Sequence, residues 1–526
     1  MTRDPAERPV GVTNGLRRAY PCVPSGRSGS VDTGLLAPPR SRGGGRLEER
    51  PVQHPIRLAA LAACCGAAVA APAREATFRD EAAAALSRAA AFFRDRLAVE
   101  GGCLWRYSED LARREGEGKA GPFTVWVQPP GTPTAGLALL RAFEATGDRA
   151  YRDAAVQAAR CLVRGQLRSG GWTYRIELDP ADRKEFAYRV DPPPKSAKAR
   201  NVTTFDDNTT QAALRLLMRV DRALEFKDAT IHEAAGFALD AVLKAQYPVG
   251  AWPQGYAEFP DPARFPVRPA SYPDAWSRTP DTKAYWHCYT LNDNVLADLV
   301  DVCIEASRVY GDPRYRAAAE RAGGFLLLAQ MPEPQPAWAQ QYDAGMRPCW
   351  ARKFEPPAVT GGESQGALRT LLRLHQETGD AKFLEPIPRA LAYLRRSALP
   401  DGRLARFYEL KTNRPLYFTR QYELTHDDGD LPTHYAFKVS NGLDAIEQAF
   451  KQAKAGAADD RRMPPIAELE RRARDIVGAM DAQGRWVEEG RLKYHGPDDP
   501  ARRIIDCGTF ARNVEALADY LAATRP

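Results

Sequence analysis

Apolar residues recur along this chain at helical spacing. Ala213, Leu214, Leu217 and Val220 form an i, i+1, i+4, i+7 stripe, and Leu137, Leu139 and Leu140 begin another after Pro133-Thr134. A third helix is predicted from Asp293-Asn294 through Leu296 and Ile304. A fourth runs from Glu363-Ser364 through Leu368, Leu371 and Leu372. Three of these end in a Gly-Asp turn (Gly147-Asp148, Gly311-Asp312, Gly379-Asp380), followed by an aromatic and a second helix. Glycine closes the first helix, and the aspartate is placed to cap the second.

Six short turns, most with Gly, lie beside an aromatic at about 60–90-residue spacing. They are Gly101 to Trp105, Ser169 to Trp172, Gly250 to Trp252, Gln340 to Tyr342, Asp401 to Tyr408 and Gly484 to Trp486. Strand signals are sparse: Trp172 to Ile176 and Leu404 to Leu410. The pattern predicts inner helix, turn, outer helix and long loop, repeated around a ring, with an open superhelical solenoid as the alternative. The fold class is mainly α, an α/α toroid with short strands in its loops. The turn aromatics are expected to line one face of the ring, where they could hold a sugar polymer. Phe259 to Thr279, rich in proline and aromatics, is an inserted loop, and long loops in compact domains usually serve function.

The N-terminal part has a different character. Residues 1–55 are rich in Arg, Gly, Pro and Ser without periodicity, and are expected to be disordered or an upstream extension. Residues 56–71 supply Arg57, an apolar stretch and small residues at Ala68-Val69-Ala70, the parts of a secretory signal. Leu61-Ala62-Ala63-Cys64 also resembles a lipoprotein box, so a secreted or periplasmic location, with lipid anchoring as a variant, is expected. Residues 80–526 are expected to form a single catalytic domain, a monomer, with no membrane span.

The net charge of +7 is modest for 526 residues and sits largely near the N-terminus. It gives no ground for a nucleic-acid partner and is compatible with an acidic polymer. Cys103, Cys161, Cys288, Cys303, Cys349 and Cys507 follow the signal. No close-spaced metal pair occurs among them, and disulfides and buried thiols both remain open.

Two groups of residues carry candidate chemistry. Asp206-Asp207-Asn208 stands at one inner-helix start, and Asn292-Asp293-Asn294 at the equivalent start of the next unit. Asp and Asn are preferred N-caps, so either motif alone needs no other account. Adjacent carboxylates facing a third from the neighbouring hairpin exceed what capping requires, and hard oxygen donors suit Ca²⁺. The second group is basic: Arg347 to Glu355, and Arg406 to Pro415. Arginine forks grip carboxylates, although Arg352–Glu355 and Arg406–Glu409 could equally be surface ion pairs.

Several segments in this order resemble the pectate lyases of polysaccharide lyase family 10. They are Thr204 to Thr210, Ala251-Trp252-Pro253-Gln254, Leu291 to Asn294, Ala339-Gln340-Gln341, Ala351 to Pro356, Gly362-Glu363-Ser364, Ala405 to Glu409 and Thr412 to Pro415. The resemblance implies an α/α toroid that cleaves polygalacturonate by calcium-assisted β-elimination. It implies Arg352 as the catalytic base and calcium held by Asp206, Asp207 and Asp293. Asn208, Trp252, Asn292, Lys353, Arg406, Tyr408, Arg414 and Arg420 are the substrate-binding candidates. Cations beside Arg352, such as Lys353, would favour its neutral form. After Arg420 the chain departs from the family pattern with Gln421 to Asp428, and Lys438 could replace an arginine there. Two other classes stay open: a uronide hydrolase using Asp206-Asp207 as acid and base, and a non-catalytic binder of acidic glycans.

Overall fold

Helix signals and turn chemistry determine most of the architecture. The computed structural model describes residues 77–281, 284–456 and 464–525. The upstream extension and the signal segment lie outside the described residues. Thirteen helices of α-type are described: α1 (Phe78–Phe92), α2 (Thr132–Thr146), α3 (Arg149–Arg164), α4 (Pro180–Arg183), α5 (Thr209–Ala223), α6 (Ala229–Ala245), α7 (Val295–Tyr310), α8 (Pro313–Ala329), α9 (Gly361–Thr378), α10 (Ile387–Arg396), α11 (Leu443–Lys454), α12 (Ile466–Gly478) and α13 (Cys507–Ala523).

The Gly-Asp turns act as their residue types require. Gly147, Gly311 and Gly379 end α2, α7 and α9 at φ of 77°, 70° and 73°, which glycine adopts without the Cβ penalty. Asp148 and Asp312 then accept backbone N–H bonds at the starts of α3 and α8. Asp380 does the same for a short 3₁₀ turn that leads into α10.

The helices form an α/α toroid. The inner layer runs α13, α2, α5, α7, α9, α11, each packed on the next, and α1, α3, α6, α8, α10 and α12 lie outside it. Burial follows from this placement. Inner α5 buries nearly every residue from Thr209 to Leu214, whereas outer α3 exposes Asp153, Gln157 and Arg160 along one stripe. The two ends of the chain close the ring: α13 packs against α2, and Arg106–Ser108 pairs antiparallel with Arg503–Asp506. Other strands are short ladders in the loops at the inner-helix starts, including Thr203–Thr204 with Gly255–Tyr256 and Tyr289–Thr290 with Gln341–Tyr342.

The turn aromatics correct the sequence expectation. Trp172, Trp252, Trp338 and Trp486 are buried, and their indole N–H groups donate to the carbonyls of Leu162, Val242, Leu326 and Ile476 at 2.8–2.9 Å. These carbonyls lie in the last turns of outer helices, where intrahelical donors run out. Tyr342 and Tyr408 do related work: each hydroxyl donates to a carbonyl near an outer-helix end, Ala329 or Ser397, and accepts an N–H from the following turn. Five of the six aromatic turns, those of Trp172, Trp252, Tyr342, Tyr408 and Trp486, therefore fasten outer helices to the loops that leave them, and these rings do not line the cleft. Trp105 differs, half-buried and donating to the Gln128 carbonyl at 2.8 Å.

Trp252, at 0% exposure, and Tyr408, at 1%, are accordingly not substrate-binding residues. Trp252→Phe and Tyr408→Phe should each lower stability by about 1–2 kcal/mol, the cost of orphaning a buried partner. KM for any substrate should stay unchanged. Urea unfolding alongside steady-state kinetics checks this, and a raised KM at unchanged stability would return either side chain to the cleft.

Candidate active site

Two neighbouring inner helices begin with the same backbone turn. After each strand, Thr203–Thr204 or Tyr289–Thr290, the chain makes one 3₁₀ turn, Asp206–Asn208 or Asn292–Asn294, and enters α5 or α7. Within each turn two successive residues are left-handed: Asp207 and Asn208 at φ 48° and 59°, Asp293 and Asn294 at φ 49° and 59°. Asp and Asn are the non-glycine residues that tolerate this region, but two in a row is strained backbone of the kind that clusters at functional sites. Neither Asn208 nor Asn294, the residues at the two N-cap positions, makes a side-chain capping bond, and the 3₁₀ turns carry none either. Capping, the simplest account of these motifs, is therefore not their use.

The carboxylates converge instead. Asp206, Asp207 and Asp293 each offer an oxygen within 4.8 Å of the others'. Neighbours aim them. Asp206 accepts from Tyr174 Oη at 2.8 Å and from Gln254 Nε2 at 2.7 Å. Asp207 accepts from Gln128 Nε2 at 2.7 Å, and Asp293 from Asn292 Nδ2 at 2.6 Å. Burial, followed by repulsion from Asp206, pushes the Asp207 carboxyl up to about 6. Burial and both other carboxylates raise Asp293 as well.

The basic side of the site comes from later loops. Arg352 donates through Nε and Nη2 to the two oxygens of Glu355 at 2.8 and 2.6 Å, and its backbone N–H adds a third bond at 3.0 Å. Glu355 is buried and also accepts from Tyr435 Oη at 2.9 Å. Tyr435 neighbours both guanidinium groups, its ring centroid 5.5 Å from Cζ of Arg352 and 4.5 Å from Cζ of Arg406. Arg406 reaches the carboxylate of Glu363 at 3.5 Å, Tyr435 Oη at 3.2 Å and the Ala436 carbonyl at 2.7 Å.

This arrangement revises the expected acidity of Arg352. Burial works against its charge, but the Glu355 fork outweighs burial and raises its affinity for a proton. The same fork holds Glu355 below the usual carboxylate range despite its burial. Lys353 does not supply the expected counteracting charge: it is exposed, with Nζ 3.6 Å from the centroid of the Tyr422 ring. Burial also works against the charge of Arg406, and Glu363 with Tyr435 more than offsets it.

Other predicted residues fall outside this constellation. Asn208 accepts from Arg215 on its own helix at 3.2 Å and so faces away from the acidic trio. Asn292 is buried and holds the Asp293 carboxylate. Arg414 and Arg420 are exposed on a surface hairpin; Arg420 pairs with Asp430 at 3.3 Å. Among the described contacts neither reaches the trio, Arg352 or Arg406. Lys438 is tied to Asp428 and lies 3.7 Å from Asp401. Glu409 pairs with Arg278 of the inserted loop, not with Arg406.

Gln128, Tyr174, Gln254, Glu363 and Tyr435 belong to the site without having been given a role in it from sequence, and Glu355 entered only as the partner in an ion pair with Arg352. A signal for the first three exists. Each is the second residue after a buried tryptophan, in Trp126-Val127-Gln128, Trp172-Thr173-Tyr174 and Trp252-Pro253-Gln254. In an extended segment residues i and i+2 share a side, but the turns here reorient the chain, so the buried ring anchors the segment and the second residue is delivered to the cleft. Tyr435 carries no comparable local signal.

Comparison with known proteins adds three findings. A family model described as pectic acid lyase matches residues 179–404. That span carries the acidic trio, Arg352 and Glu355, and stops two residues before Arg406. No curated protein matches the chain. Among solved structures, a family 10 polysaccharide lyase from Cellvibrio cellulosa is similar at 22% identity, covering 61% of this chain and 96% of that one, with a TM-score of 0.41. A variant of that lyase, solved in complex with trigalacturonic acid, is similar at 21% identity over 61% and 97%, with the same TM-score of 0.41. An unsaturated glucuronyl hydrolase specific for heparin is similar at 12% identity over 85% and 97%, with a TM-score of 0.38. The chain thus resembles the polysaccharide lyases of family 10.

Proposed function

We propose that this protein is a secreted pectate lyase that cleaves polygalacturonate by calcium-assisted β-elimination, giving 4,5-unsaturated oligogalacturonides. One observation carries the reading: three carboxylates spared from capping converge beside two arginines that share an aromatic neighbour, Tyr435. The pectic acid lyase match, which spans the three carboxylates and Arg352, supports it.

The acidic trio fits a divalent cation. Its donors are all hard carboxylate oxygens, and two of the carboxyls are raised by burial and by repulsion from their neighbours, which a bound cation would relieve. Asp206, Asp207 and Asp293 would hold calcium, with Tyr174, Gln254, Gln128 and Asn292 aiming them. Bound there, calcium would neutralise the uronate carboxylate and acidify the C5 proton.

The chain's own residues do the rest. Arg406, held charged beside Glu363, grips a substrate carboxylate through guanidinium bonds. Arg352 takes the proton from C5; the C5–H electron pair forms the C4–C5 double bond, and the C4–O bond breaks, with the leaving oxygen protonated by solvent. Only neutral guanidine can accept that proton, and Glu355 keeps this form scarce. Turnover should therefore rise through the alkaline range. Glu355 fixes the fork, which places the accepting nitrogen.

A second reading has its own support. A carboxyl raised to about 6, as for Asp207, is suited to proton transfer near neutrality, as a hydrolase of unsaturated uronides requires. Ultraviolet absorbance of the unsaturated product separates the classes. Incubation with polygalacturonate should raise the signal with calcium and leave it flat in chelator. A hydrolase would instead remove the signal from unsaturated oligomers, and a binding protein would do neither.

A further inference from the structure

Four of the six cysteines among the described residues stand in two close pairs. Cys288 Sγ and Cys349 Sγ are 3.1 Å apart, and Cys103 Sγ and Cys507 Sγ 3.5 Å apart. We propose that both pairs are sites of disulfide formation, and that the Cys288–Cys349 bridge ties the acidic turn to the arginine loop of the same site.

The first pair is brought together by three segments that lie side by side. Tyr289 pairs with Tyr342, and Tyr342 bridges to Pro348. Cys288 and Cys349 are the next residues on the two outer segments, on either side of the middle strand. Gln341 Nε2 donates to the Cys349 carbonyl at 3.3 Å and holds the second segment in place. The sulfurs stand 3.1 Å apart and have to close to the bond length of about 2.0 Å.

The second pair sits where the ring closes. Cys103 precedes the strand Arg106–Ser108, and Cys507 follows its partner strand Arg503–Asp506. Linking residues 404 positions apart removes far more unfolded-chain freedom than a local bridge does.

Metal binding does not explain these cysteines. Among the described residues, only the aspartate trio groups three or more His, Cys, Asp or Glu side chains at metal-holding separation. Two thiolates alone leave a tetrahedral zinc half-ligated.

The functional consequence follows from position. Cys288 lies five residues before Asp293, and Cys349 three before Arg352. Both also line a cavity of about 410 Å³ with Trp276, Tyr285, Arg347 and Trp350, so a small oxidant or reductant can reach the pair. Cys103 and Cys507 are buried and must join during folding. Each bond forms when one thiolate attacks a disulfide-bearing oxidant, the second thiolate displaces the mixed disulfide, and the oxidant leaves as two thiols. Two electrons pass from the cysteine pair to the oxidant, and the two thiol protons are released.

The experiment refolds the full chain in a buffer of reduced and oxidised glutathione, alkylates free thiols, and maps unreduced peptides by mass spectrometry. The expected map links Cys288 to Cys349 and Cys103 to Cys507, each pair two hydrogens lighter than its separate peptides. Cys161 and Cys303 should be alkylated. Cys349→Ser should leave Cys288 alkylated and the other bridge intact, and should lower Tm by several degrees in oxidised protein while matching wild type under reductant. Alkylation of all four cysteines, or a Cys103–Cys161 link, would overturn the assignment, and the wild-type map decides even if a variant fails to fold. The same map on chain recovered after export tests the secretion reading separately: free thiols there, with bridges formed in glutathione, would count against export and leave the pairing standing.

Discussion

Arg352→Lys should lower kcat by roughly 10³-fold or more, on the order of 4 kcal/mol of transition-state stabilisation. The guanidinium is planar and held at two points by Glu355, through Nε and Nη2, while the Arg352 backbone N–H adds a third bond to the same carboxylate. A lysine ammonium offers one nitrogen on a flexible stem and cannot keep both fork bonds while presenting a third nitrogen to substrate. KM should change far less, because Arg406 and the acidic trio still hold the sugar carboxylates. Glu355→Gln separates the two parts of the argument. Glu355 raises the proton affinity of Arg352, so removing its charge should move the alkaline rise in rate to lower pH. Maximal turnover should also fall, since an amide pairs poorly with the fork. Steady-state pH profiles of the three proteins measure both effects. Near-normal turnover in Arg352→Lys, with Arg406→Ala inactive, would place the base on the other arginine.

Asp293→Ala should abolish activity at limiting calcium, with loss at least comparable to that at Arg352. The fold should survive, because Asp293 makes no capping bond and carries an unfavourable charge when the site lacks a cation. The sign of the pH effect follows. A carboxyl raised in the folded state binds more protons there than in the unfolded chain, so it destabilises the fold as pH rises. For Asp207 that loss accumulates between its unfolded value near 4 and about 6, and Asp293 adds to it. Wild-type protein in chelator should therefore lose Tm from this source as pH rises through that window, and calcium should restore it. Asp293→Asn should show a smaller loss and little calcium response. Thermal unfolding with and without calcium, beside the absorbance assay, reads both. Full activity in excess chelator would sink the metal reading.

Much of this protein was legible in its sequence because the relevant physics is local. Gly147, Gly311 and Gly379 end helices and the aspartates after them begin the next ones, since φ freedom and capping depend on a few adjacent residues. Repetition of that unit predicted stacked helical hairpins, which a closed ring and an open solenoid both satisfy; the packing of α13 on α2 closes the ring. The two acidic motifs stood at equivalent positions in adjacent units, so their convergence followed from the repeat. Direction was not legible. The spacing of Trp172, Trp252, Tyr408 and Trp486 was plain, but each ring turns inward to a helix-end carbonyl, and the residue that reaches the cleft is a neighbour such as Gln254. Nor could sequence set the acidity of Arg352. Its nearest charge in the chain is Lys353, yet the protein buries Glu355 against it and leaves Lys353 in solvent, with Tyr435 brought in from 80 residues beyond Glu355. Periodicity fixes which elements form and where they repeat. Ring closure and loop packing fix which side chains share low-dielectric space, and that decides partners, protonation and the pairing of Cys103 with Cys507.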